Sequence, residues 1–159
     1  MPNLQLTSTV GDNTPIFALR GVSLNDFSLN QSGPVATYYD EVYKGNFAFY
    51  GVALYDLDRV EVLRGPQGTL YGKNTTGGAV NLISRAPKLG ETSGYLNLGY
   101  GNYDRYDVNG AINVPIGQNA ALRVAGTYSK ADGWFKNVVP GQPDLGGVSE
   151  YGLRGALYV

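Results

Sequence analysis

The side chains that carry most bond-making chemistry are missing from this sequence, since its 159 residues include neither Cys nor His. That removes thiolate and imidazole nucleophiles, histidine acid–base catalysis, zinc sites built on those ligands, disulfides, and haem or iron–sulfur ligation through them. A few constellations remain. Gly68-Thr69-Leu70-Tyr71-Gly72-Lys73-Asn74 has the flavour of a phosphate-binding loop, but it is one residue short. Asn74 also stands where a hydroxyl would hold magnesium, and no long helix follows. Asp56 and Asp58 could form an acid–base pair, although their place before a strand favours capping and solvating its start. Asn30-Gln31-Ser32 and Asn74-Thr75-Thr76 fit the glycosylation triplet, a pattern that arises by chance. Arg20 and Arg64 each directly precede a Gly at a strand end. Surface charge is the plain reading; a planar guanidinium in a restricted space also suits bidentate pairing with carboxylates. No catalytic residue, metal ligand or cofactor is expected.

The composition narrows the partners. Lys and Arg number 12 against 13 Asp and Glu, and charged residues make up 16%, so no basic footprint is offered to nucleic acid. Gly occurs 23 times, where the usual share of about 7% gives roughly 11. Tyr, at 13, outnumbers five Phe and one Trp. The longest mainly apolar run, Phe47 to Tyr55, is about half of a membrane-spanning helix. The N-terminus shows no basic start followed by an apolar stretch, so this chain lacks a secretory signal peptide. Either the protein stays in the cytoplasm or the chain is a piece of a longer one.

From Thr92 onward the elements declare themselves by period two. Tyr95–Tyr100, Tyr106–Val114, Ala121–Lys130 and Ser149–Val159 alternate, with turns at 101–104 and 115–119 and a long connection over 131–147. One face collects Leu96, Leu98, Tyr100, Tyr106, Val108, Gly110, Ile112, Val114, Leu122, Val124, Gly126, Tyr128, Tyr151, Leu153, Gly155, Leu157 and Val159, none of them charged. The other carries Asn97, Asp107, Asn109, Asn113, Arg123, Thr127, Ser129 and Arg154 among Gly, Ala and Tyr. A soluble sheet with one face on a core also alternates, but its wet face is normally rich in Lys and Glu. Here that face is small and amidic, as in a crowded or water-filled interior. With strands running up and down, Tyr100, Tyr106, Tyr128 and Tyr151 fall at one rim of the apolar face, the arrangement of a lipid-interface girdle. Short turns at one end and a long loop at the other fit the same pattern. A transmembrane β-barrel is therefore favoured over a soluble β-rich binding or adhesion module, and a carboxylate-only glycosidase is a more distant option. Four strands cannot close a barrel, so the chain is expected to be incomplete.

The N-terminal half has shorter elements. Ile16–Arg20, Val35–Tyr39, Asp58–Leu63 and Ala79–Ser84 read as strands of a small mixed domain, with Thr69–Tyr71 at most a helical turn and Ala86-Pro87-Lys88-Leu89-Gly90 a linker. Val60 and Val62 lie on one face of their strand, Arg59 and Glu61 on the other. Asp40-Glu41 occupies a hairpin position where Glu tolerates positive φ poorly, so a two-residue type I′ turn is not expected there.

Leu19-Arg20-Gly21, the run Asp58-Arg59-Val60-Glu61-Val62-Leu63-Arg64-Gly65-Pro66-Gln67-Gly68-Thr69-Leu70-Tyr71-Gly72, then Gly77-Gly78-Ala79-Val80-Asn81-Leu82-Ile83-Ser84 and Pro87 together resemble the plug domain of TonB-dependent outer-membrane receptors. Leu122–Gly126 and Asp132–Asn137 are similar to the third barrel strand and its loop in that family, so the resemblance spans about residues 14–159. It departs at Asp40-Glu41, where the family often has Asp-Gly. What it implies is an α+β plug with a small mixed sheet at 1–88, N-terminally incomplete. The first four strands of a transmembrane β-barrel would follow at 89–159, C-terminally incomplete. It also implies location in the Gram-negative outer membrane, and partners consisting of outer-membrane lipid, the TonB energy-transducing complex acting through a TonB box missing from this chain, and a small ligand such as a ferric siderophore. By the same resemblance Arg20, Arg59, Glu61 and Arg64 are candidates for a plug–barrel latch. Gly65, Gly68, Gly72, Gly77 and Gly78 would shape plug turns. Asn25, Phe27, Tyr43, Phe47, Phe49 and Tyr50 would lie on ligand-facing loops.

Overall fold

The computed structural model describes residues 3–8, 15–26, 31–46, 49–50 and 54–159. The chain divides into two compact units, Met1–Arg85 and Ala86–Val159. In the first, β1 (Leu4–Ser8) pairs antiparallel with β2 (Pro15–Leu19). A separate four-stranded sheet runs in the order β4 (Val42–Lys44), β3 (Val35–Tyr39), β6 (Gly78–Ser84), β5 (Leu57–Arg64). It is mixed, because β3 and β6 are parallel while β4 and β5 pair antiparallel to their neighbours. α1 (Gly68–Tyr71) is one helical turn.

The two central strands are buried in succession rather than alternately, as in a sheet covered on both faces. On one face Val35, Val80 and Leu82 gather with Leu19 from β2, and Tyr39, Leu57 and Val62 pack around them. On the other Ala36, Tyr38 and Ala79 meet Tyr43, Leu63 and Tyr71. A register shift between Leu57 and Arg59 marks a bulge at Asp58. The extra residue lets Leu57 share the Val62 face although it stands an odd number of positions away. β1 was not read from the sequence, because its Leu4-Gln5-Leu6-Thr7 alternation is too short to mark a strand by itself.

The second unit is an antiparallel meander in the order β10 (Val148–Tyr158), β9 (Ala120–Ala131), β8 (Arg105–Ile116), β7 (Ser93–Gly101). The expected alternation is present with slightly longer strands. Pro115, expected in a turn, lies inside β8 and pairs with Ala121. The register puts Leu98 opposite Val108, Val108 opposite Tyr128, and Tyr128 opposite Tyr151, so the apolar set shares one face. No helix among the described residues is long and apolar enough to cross a membrane, which has no bearing on crossing by strands.

Candidate functional site

Tight turns hold Arg20 and Arg64, each directly before a glycine. Arg20-Gly21 forms a two-residue reversal, with φ of 53° and 78°, closed by reciprocal backbone bonds between Leu19 and Val22 of 3.0 and 2.9 Å. Gly65, at φ 83°, follows Arg64 and donates its N–H to Gly77 O at 3.2 Å. Both arginine side chains are exposed. Arg59 is engaged locally, its Nε donating to Glu61 Oε1 at 2.7 Å and its Nη1 to Asp58 Oδ2 at 3.1 Å. Glu61, then Asp58, hold the guanidinium above its ordinary pKa. Arg59 and Glu61 are brought together as neighbours on one strand face; Arg20 and Arg64 stand on separate turns.

Asp56 departs from expectation, being buried rather than solvated, at φ 52°. Its carbonyl accepts the Arg85 N–H at 3.1 Å, so this residue is part of a closed corner instead of a wet strand start. The phosphate-loop likeness ends at α1, which is only one turn long.

Among the glycines, Gly78 is required most sharply. Its φ is 144°, and a Cβ there would lie 2.3 Å from Leu63 O and 2.7 Å from Leu19 Cδ1. Gly72, like Gly65, has positive φ. Gly77 is a matter of space, since a Cβ would meet Val22 Cγ1 at 3.0 Å. Gly68 corrects the expectation: its φ is not positive and open space surrounds it, so no turn demands a glycine there.

The Asp40-Glu41 expectation is also corrected. Tyr39 pairs with Val42 across these two residues, whose φ values are 47° and 66°, the sign pattern of a type I′ turn. The strained backbone is anchored from outside. Ser84 donates its N–H to Asp40 Oδ1 at 2.8 Å and its hydroxyl to Asp40 Oδ2 at 2.6 Å, and Asp40 N–H donates to Leu82 O at 2.9 Å.

Of the proposed ligand-facing residues, Phe27 and Phe47 lie outside the described residues, as does Asn30 of the first glycosylation triplet. Asn25 and Phe49 are exposed. Tyr50 is a correction: at 4% exposure it belongs to a core with Ile16 and Leu24, because its ring is the apolar mass that closes this cluster. Burial pushes its hydroxyl pKa up, and the nearby Tyr43 adds to the effect. Tyr43 is half-buried against Tyr38, ring centroids 5.5 Å apart, and accepts from Asn74 Nδ2 at 3.0 Å. Tyr38 in turn stands edge-on to Tyr71 at 5.0 Å and donates its hydroxyl to Tyr71 O at 2.5 Å. This cluster was not legible in the sequence, since its tyrosines come from three different elements.

The meander is inverted relative to a soluble sheet. Its apolar face is open, with Leu98 72%, Tyr151 87% and Leu153 80% exposed. On the amidic face Ala111, Asn113, Ala121, Arg123 and Ala125 are buried. Asn97 Nδ2 donates to Asn109 Oδ1 at 3.0 Å, and Arg105 forks onto Asp107 with bonds of 2.6 and 3.0 Å. Ser129 also donates to Asp107. Tyr100 and Tyr106 are paired across strands with rings 5.1 Å apart, Tyr128 stands opposite Tyr151 in the register, and all four sit at the rim nearest the 102–104 and 132–147 connections. One polar residue had no sequence signal of its importance: Asn113, fully buried, binds the main chain of Lys88 and Glu91. Among the described residues no cluster of three or more metal-ligating side chains forms.

A small mixed sheet carrying this signature, followed at once by strands that expose their apolar face, defines the plug and barrel wall of an outer-membrane receptor. Residues 1–79 match the family described as the TonB-dependent receptor plug domain, and the chain belongs to the TonB-dependent receptors. The match takes in the first 13 residues that the motif resemblance left out. The chain is 33% identical over 149 residues to the pesticin receptor of Yersinia enterocolitica, covering 92% of this chain and 21% of that protein. It thus spans about one fifth of the length of the curated relatives it matches. The crystal structure of the ferric yersiniabactin uptake receptor from Yersinia pestis superposes with a TM-score of 0.83 at 31% identity, over 99% of this chain and 24% of that one. The pyoverdine outer membrane receptor of Pseudomonas aeruginosa gives 0.64 at 25% identity, over 84% and 19%. This is a family of transporters and receptors, not enzymes, and its relatives are outer-membrane proteins.

Proposed function

We propose that this chain is the plug and first barrel wall of a receptor that takes up a ferric siderophore across the Gram-negative outer membrane, powered by the TonB complex. The observation that carries the reading is the inverted sheet. A continuous apolar face of this extent is unstable in water and at home in lipid, and a plug is the element such a wall needs to be gated. The likeness to a ferric yersiniabactin receptor over nearly the whole chain points to the siderophore class of cargo. In this reading Tyr100, Tyr106, Tyr128 and Tyr151 sit at the lipid–water boundary. Arg20, Arg59 and Arg64 latch the plug to carboxylates of the wall, Glu61 holds the Arg59 guanidinium in place, and Asn25 and Phe49 face the ligand from their loops. Tyr50 supports those loops from the core.

The test is uptake by the complete receptor in an iron-starved host lacking its own siderophore receptors. Radioiron delivered as ferric yersiniabactin should enter only when both receptor and TonB are present. Entry at the rate of the empty host, with the receptor correctly inserted, would refute this cargo. Arg64→Ala should reduce transport by about tenfold while leaving surface binding of the ligand intact, as expected for loss of one charge-assisted pair. Unchanged transport and plug mobility would remove Arg64 from the latch.

A further inference from the structure

Where the chain passes from plug to wall, a single buried side chain takes hold of the main chain. Asn113, in β8, is 0% exposed. Its Nδ2 donates to Lys88 O at 2.9 Å and to Glu91 O at 2.6 Å, while its Oδ1 accepts the Lys88 N–H at 2.8 Å. The amide orientation is fixed by these partners, since a backbone N–H can only donate and a carbonyl only accept. Both donors of the side chain are used. Gly90, at φ 68° with nothing within 4 Å of a notional Cβ, makes the turn that carries the Glu91 carbonyl back to the same amide. The chain then enters β7 at Ser93, directly opposite Asn113 in the register. A buried amide saturated by three main-chain bonds is rigid, because leaving any of these groups unpaired carries the full desolvation cost.

We propose that Asn113 is a clamp that converts the 88–91 stretch after the plug from a hinge into a fixed anchor, so that any plug movement under traction takes place upstream of Lys88. Asn113 is a positioning residue in this scheme and touches no ligand. The clamp itself stands on geometry alone; its part in transport rests on the receptor reading above, and the two are tested separately.

The test uses the complete receptor in outer-membrane vesicles under limited trypsin digestion. Lys88 has an exposed side chain but a bonded backbone, so cleavage after it should be slow in the wild type. Asn113→Ala and Asn113→Ser should speed that cut at least about tenfold, the effect of losing one or more net hydrogen bonds. Cleavage after Lys130, inside β9, should stay unchanged and so report an intact wall. Gly90→Ala disturbs the same clamp from the linker side and leaves β8 untouched, so it should also expose Lys88. If neither type of variant accelerates the Lys88 cut, or if Lys130 is cut equally faster in all of them, the clamp is refuted. In the same cells, TonB-driven uptake of radioiron as ferric yersiniabactin should fall in Asn113→Ala with surface binding retained. Normal uptake despite a freed linker would overturn the anchor role. A wild-type receptor that imports nothing would instead count against the siderophore reading, and would leave the cleavage result standing.

Discussion

A glycine in this plug is explained only by what surrounds it. Gly78 combines positive φ with a carbonyl where its Cβ would be, whereas Gly68 has neither constraint. Gly78→Ala should therefore cost about 3 kcal/mol or more, and Gly68→Ala should be neutral or stabilising by about 0.5–1 kcal/mol; urea unfolding of the two variants side by side checks the contrast. The motif contains both residues, and nothing in their order distinguishes them. Tyr38 gives a second contrast. Burial, with Tyr43 and Tyr71 adding to it, raises its hydroxyl pKa. The folded state therefore keeps its proton at pH values where the unfolded chain has lost it, and stability declines as pH climbs through the unfolded value of about 10. Tyr38→Phe removes the bond to Tyr71 O and should cost about 1 kcal/mol at neutral pH. It should also flatten the loss above about pH 10, which unfolding curves at the two pH values would reveal.

At the scale of elements, the β3–β4 hairpin shows a local rule overruled by a distant residue. A Glu at positive φ is unfavourable by about 1–2 kcal/mol, and the turn forms regardless because Ser84 of β6 binds both oxygens of Asp40. Asp40→Ala should destabilise the plug by about 1–3 kcal/mol, while Glu41→Gly should stabilise it by about 1 kcal/mol. Denaturation midpoints of the two variants moving in the same direction would contradict this account. Strand existence in the plug was legible from runs such as Val35–Tyr39 and Ala79–Ser84. The parallel pairing of β3 with β6 was not, because the segments lie some forty residues apart and share only composition. The bulge at Asp58 was hidden for the same reason, since it is a property of the pairing and not of either strand.

At the scale of the whole molecule, the two faces of the meander differ in what they tolerate. An Arg in place of Leu98 puts a charge into lipid, at about 2–4 kcal/mol near the bilayer midplane and less toward the interface. The same residue in place of Asn97 joins a polar face. In the complete receptor Leu98→Arg should lower the yield of folded, heat-modifiable protein in the outer membrane, and Asn97→Arg should leave most of it. Equal loss from both would argue that the exposed leucines do not face lipid. The alternation that makes this prediction was plain from the sequence, because side chains on a strand change sides at every residue.

Short-range features were readable along the chain: period-two strands, the sorting of apolar from amidic residues, the absence of Cys and His chemistry, and a plug signature long enough to be specific. Other features depend on which distant groups meet. Tyr50 became core, Asp56 became buried, Asp40-Glu41 could turn, and Asn113 proved to grip the linker. The physical reason is the same in each case. Burial and hydrogen-bond satisfaction belong to pairs of groups brought together by folding, and a linear pattern specifies only one member of each pair.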